Sequence, residues 1–135
     1  MSMLIHPSFV HFPIALWLTG TLFDLLGWRR RDVALYRNMA FWLVGLGLLG
    51  AAGSILFGWT DLLDQKRQGV GNALLTRHNL HSWLAYASTA VYLGVFLWRW
   101  RGGNRLTAAL LLLSVLGACL IAATGYLGGE MRNVM

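Results

Sequence analysis

The chain has 135 residues, of which 57% are hydrophobic and 12% charged; an ordinary soluble domain carries about 25% charged residues. So few polar groups exclude a water-soluble globule, and the length holds one domain. The formal net charge of +6 does not mark a nucleic-acid binder, because the basic residues sit between apolar runs, where topology-setting charges belong.

Four apolar runs, at residues 9–28, 39–60, 81–98 and 106–126, match the roughly 20 residues a helix needs to cross a hydrocarbon core. Helices are required because open strands would leave backbone groups unsatisfied in lipid. The first run opens on HPSFVHFPIAL, from His6 to Leu16. No basic segment precedes it and no small-residue cleavage site follows, so it is expected to remain in the mature chain. His6 and His11 are five apart, about 140° around a regular helix, and cannot share a face. Pro7 and Pro13 are expected to shape the helix entry, where a missing N–H costs nothing. Asp24 is expected to cap the run or pair with Arg29 or Arg30.

Arg29-Arg30-Arg31-Asp32 and Arg37 separate the first two runs. In the second, Gly50, Ser54 and Gly58 share one face, followed by Trp59 and Asp61. Residues 61–77 are expected to form the longest loop, turning at Gly69-Val70-Gly71-Asn72. His78 and His81, spaced i, i+3, lie on one face at the start of the third run. Arg99, Arg101 and Arg105 precede the fourth run, which carries Gly117, Cys119 as a small packing residue, Gly125 and Tyr126, with Glu130 beyond it.

Short connections make neighbouring helices antiparallel, so the expected fold is all-α, an integral membrane four-helix up-down-up-down bundle. Seven arginines lie in the first and third connections; the other side holds Lys66, Arg67, Arg77 and Arg132. The positive-inside rule then puts both chain ends and the 61–77 loop outside the cytoplasm. Displacing the chain by 67 positions superposes His11 on His78, Gly27 on Gly94, Gly50-Ala51 on Gly117-Ala118 and Gly58-Trp59 on Gly125-Tyr126. Two pseudo-repeated hairpins related by an axis along the membrane normal would give this pattern. They would set His11 and His78 opposite each other across the bundle.

All four histidines, with Asp61 and Glu130, fall at one end of such a bundle. Imidazole is an axial iron ligand and a common metal ligand, so a b-type haem held by His11 with His78 or His81 is the leading reading. His6 would stand nearby. Gly58 and Gly125 would make room for the ring, Trp59 and Tyr126 would pack on it, and Arg77 would meet a propionate. The alternative is a copper, zinc or iron ion held by His6, His11, His78, His81, Asp61 and Glu130. Against both stands a cofactor-free subunit of a larger membrane complex. In that reading the aromatics are an interfacial belt and the small residues are helix contacts. No phosphate-cradling loop, HExxH, CxxC or nucleophile elbow occurs, which favours an electron carrier or binding protein over an enzyme. CxxCH is also missing, so covalent c-type haem attachment is excluded while b-type haem is not.

HPSFVHFPIAL, GWTDLL after the second run and the closing GYLGGE together resemble the bacterial membrane family known as domain of unknown function 2231, over nearly the whole chain. The resemblance implies a four-helix domain in the bacterial cytoplasmic membrane. Some relatives are joined to cytochrome c or Rieske modules, which implies a redox partner by analogy. The family pattern falls on His6, Pro7, His11, Phe12, Pro13, Asp61, a histidine at 78 or 81, and Gly128, Gly129 and Glu130. Many relatives continue past GGE with a further histidine. Here the sequence reads GGEMRNVM, so any ligand role of that residue must pass to another group.

Overall fold

The computed structural model describes the backbone of residues 5–69 and 71–134 and the side chains of residues 9–69, 71–73 and 75–130. Four helices follow one another: α1 (Ile5–Arg29), α2 (Ala34–Arg67), α3 (Asn72–Arg101) and α4 (Ala108–Val134). Each is long and apolar enough to cross a membrane. Leu22, Trp42, Leu49, Leu56, Trp83 and Leu112 are exposed on the outside of the bundle, where lipid is the solvent.

Consecutive helices are neighbours around a ring, with α1 also packed on α4. The pairs α1–α2 and α3–α4 are closer than the contacts between the two hairpins. α1 and α3 end 72 residues apart and α2 and α4 begin 74 apart, so these helix ends do not follow the displacement of 67.

The expected 61–77 loop is corrected. α2 runs on to Arg67 and α3 already begins at Asn72. The end of an apolar run marks the edge of the membrane, and a helix that leaves it can continue in water. Backbone chemistry stops α2 instead, at Gly69, whose φ is +69°, a conformation glycine adopts without penalty. The α3–α4 connection uses Gly103 (φ 67°) and Asn104 (φ 58°). Thr107 then caps α4, its hydroxyl accepting from the Leu110 N–H at 3.2 Å.

Pro13 lies inside α1 rather than in its first turn, a second correction. A proline there removes the donor for the carbonyl four residues back, that of Phe9. The Ser54 hydroxyl of α2 stands 3.2 Å from that oxygen and 2.9 Å from its own Gly50 carbonyl. The single hydroxyl proton is shared between the two carbonyls, so a neighbouring helix offers the group that proline orphaned a part-time donor.

At the centre Trp17 and Tyr92 are fully buried and stacked, with ring centroids 4.5 Å apart. The Trp17 indole N–H donates to the Val44 carbonyl at 3.2 Å. Gly47 and Gly117 make room for these two rings. A Cβ at Gly47 would come within 2.3 Å of the Trp17 indole nitrogen, and one at Gly117 within 2.8 Å of Tyr92. Gly47→Leu should therefore cost at least the ~1–3 kcal/mol typical of overpacking. Thermal unfolding of the detergent-solubilised protein measures this; an unchanged midpoint would show that the indole can move aside.

Candidate functional site

Two polar regions occupy opposite halves of the bundle. Towards the arginine-rich end, Asp24 of α1 and Arg99 of α3 form an ion pair with both side chains fully buried. The Ser114 hydroxyl of α4 donates to the other Asp24 oxygen at 2.8 Å. Arg99 Nη1 also donates to Asn104 Oδ1 at 3.0 Å and to the Arg37 carbonyl at 3.5 Å. Deeper in the bundle, Thr21 Oγ1 and the Tyr92 hydroxyl are 2.9 Å apart, and Thr21 donates to the Ser114 carbonyl at 3.2 Å. All four helices contribute to this network.

The expected pairing of Asp24 with Arg29 or Arg30 is thus corrected. Asp24 continues the buried stripe of Trp17 and Thr21, whereas Arg29 and Arg30 are exposed and Arg30 meets Asp32 at 3.7 Å. An acid inside an apolar run was the available signal, because ionisable groups within membrane helices face the bundle interior. Assigning Arg99 to the loop concealed its partner.

The other half holds an open cleft between the four helices, with a cavity volume of about 60 Å³, below the range of small-molecule sites. Val10, Pro13, Ile14 and Trp17 wall it from α1; Ala51, Ser54, Gly58 and Trp59 from α2; His78, His81, Tyr86 and Thr89 from α3; Ile121 and Thr124 from α4. The walls are mainly apolar, with hydroxyls and imidazoles spaced along them. At the rim the Trp59 indole N–H donates to the Tyr86 hydroxyl at 2.5 Å, joining α2 to α3.

His78 is buried. His81 is held in place: its Nδ1 is 3.0 Å from the Thr124 carbonyl of α4. A carbonyl can only accept, so Nδ1 is the donor in this contact. Gly128 provides the space, since a Cβ there would lie 3.1 Å from His81 Cε1.

Of the sequence-derived candidates, His78, His81, Gly58 and Trp59 line the cleft. His11 does not: it is exposed and absent from the cleft walls, so the expected opposition of His11 and His78 is corrected. The two helices present different faces to the cleft. The α1 wall falls on positions 10, 13, 14 and 17, while α3 presents 78, 81, 82 and 85. After displacement by 67 these correspond to 11, 14, 15 and 18, one residue later, or about 100° of rotation.

Gly125, Tyr126 and Arg77 also lie outside the cleft walls. Tyr126 is exposed and donates to Glu130 Oε1 at 2.9 Å along its own helix. Asp61 is half-buried at the end of the membrane run and is not a wall residue either. The side chain of His6 lies outside the described residues. Among the described residues no three histidine, cysteine or acidic side chains converge as a metal site would require.

A family described as "Predicted membrane protein (DUF2231)" matches residues 3–135. No curated protein and no solved structure matches the chain.

Proposed function

The chain belongs to this family of predicted membrane proteins, and from that premise we propose an integral membrane b-type haem protein that transfers electrons, with its site in the histidine-lined cleft. The observation that carries this reading is the hydrogen bond from His81 Nδ1 to the Thr124 carbonyl, 3.0 Å long. Histidines that ligate a metal almost always donate their other ring N–H to such an acceptor, which orients the ring and raises its basicity. His81 would hold the iron through its other ring nitrogen. The cleft of about 60 Å³ does not hold a porphyrin as it stands, so α2 and α3 would have to part at the Trp59–Tyr86 contact; bound haem would supply one-electron chemistry. His78, one turn away on the same helix, lines the same wall and would stand beside the group.

A second reading rests on the shared wall of His78 and His81. Two imidazoles one helical turn apart can chelate a copper, zinc or iron ion, with the remaining positions filled by small ligands.

Orientation belongs to the same proposal. With Arg99 buried, six arginines at one end face four basic residues at the other. The cleft would then open on the outer face of a bacterial cytoplasmic membrane, within reach of a cytochrome or another redox protein.

The test is the visible spectrum of detergent-purified protein expressed with a haem supply, air-oxidised and then dithionite-reduced. A Soret band that shifts on reduction supports the haem reading. A featureless spectrum with stoichiometric metal by elemental analysis supports the second. If both are empty, the chain is a cofactor-free subunit.

A further inference from the structure

The arginine-rich end presents a basic surface that the cleft reading does not use. Arg29, Arg30, Arg31, Arg101 and Arg105 are all exposed there. They come from two hairpins, yet the fold joins the two connections. Asn104 Nδ2 donates to the Arg37 carbonyl at 3.1 Å and to Asn38 Oδ1 at 3.3 Å, so basic residues from both connections share one face.

Acidic groups do not neutralise this face. Asp24 is buried against Arg99. Asp32 meets Arg30 at 3.7 Å, with both side chains more than half exposed. Among the described residues these are the two ion pairs, so Arg29, Arg31, Arg101 and Arg105 meet no carboxylate. The Arg31 guanidinium lies over the Trp28 ring, 4.0 Å from its centroid, and Trp98 and Trp100 are exposed at the same end. Exposed tryptophans settle at the headgroup level of a bilayer, which sets the guanidinium groups at the depth of lipid phosphates. Arginine grips phosphate with two parallel hydrogen bonds.

We propose that this face is a binding site for an anionic phospholipid, whose phosphate bridges the arginines of the α1–α2 and α3–α4 connections. Charge at the depth of the headgroups selects a lipid over a soluble anion. Nothing in this inference depends on the cleft.

The test uses the purified full chain in a non-ionic detergent, with phosphatidylglycerol, phosphatidylcholine or inorganic phosphate added. Native mass spectrometry counts retained lipid, and thermal unfolding reports stabilisation. Phosphatidylglycerol should be retained and should raise the melting midpoint, while the other two should do neither. Each arginine removed should weaken the apparent affinity about fivefold, the effect of one basic residue at an anionic surface. Arg30→Gln/Arg31→Gln/Arg105→Gln should therefore lose the lipid, and Lys66→Gln/Arg67→Gln, at the opposite end, should keep it. Equal retention of phosphatidylcholine, stabilisation by phosphate alone, or equal loss in the two variants would overturn the proposal. The wild-type lipid comparison stands even if the triple variant misfolds.

Discussion

Arg99→Ala should be among the most destabilising single substitutions in the protein, and Asp24→Ala/Arg99→Ala should recover much of the loss. Both side chains are fully buried, and removing one leaves the other as an uncompensated charge inside the bundle. Breaking such a pair typically costs ~3–5 kcal/mol, whereas replacing both members is often tolerated. Asp24→Ala should cost about as much, because Arg99 would keep Asn104 and the Arg37 carbonyl but no counter-charge. A double-mutant cycle on thermal or denaturant unfolding in detergent gives the coupling directly. Additive losses would mean that the two groups are solvated separately. The pair also spans the thinner interface between the hairpins, so the single variants should expose that seam to proteolysis first.

His81→Ala should abolish cofactor binding, and His11→Ala should leave it intact. His81 lines the cleft with its ring oriented by Thr124, while His11 is exposed and outside the walls. With the proposed haem, loss of the ligating imidazole should remove most of the Soret absorbance per protein, and excess imidazole should restore part of it. His78→Ala should act more weakly on haem, whereas an ion chelated by the pair would be lost equally from both α3 variants. Unchanged cofactor content in His81→Ala, or its loss in His11→Ala, would sink the assignment. Thermal unfolding of each variant separates lost ligation from lost folding.

Particular residues show where sequence reasoning reached and where it stopped. The glycine and histidine matches at a displacement of 67 suggested a repeat, but α1 and α3 end 72 residues apart and α2 and α4 begin 74 apart. Pro13 was legible as a backbone disturbance, but not as one eased by Ser54 from another helix, because that needs the α1–α2 contact. Gly47 drew no notice in a glycine-rich run, and only the position of the Trp17 indole shows why a side chain is excluded there. The cleft was half legible: four histidines marked an end of the bundle, and the fold selected which of them turn inward.

What the sequence determined by itself is the solvent, the number of helices, their alternation and the end at which each polar group falls. These follow from run length, charge placement and the backbone's need for internal hydrogen bonds in lipid. Only the tertiary structure decided the rotation of each helix about its own axis, and with it the partner of Asp24 and the inward turn of His78 and His81. The physical reason is that lipid tails are as apolar as leucine, so no hydrophobic difference marks the inner face of a membrane helix. Rotation is set instead by close contacts such as Trp17 on Gly47 and by buried hydrogen bonds, and those exist only once four helices have met.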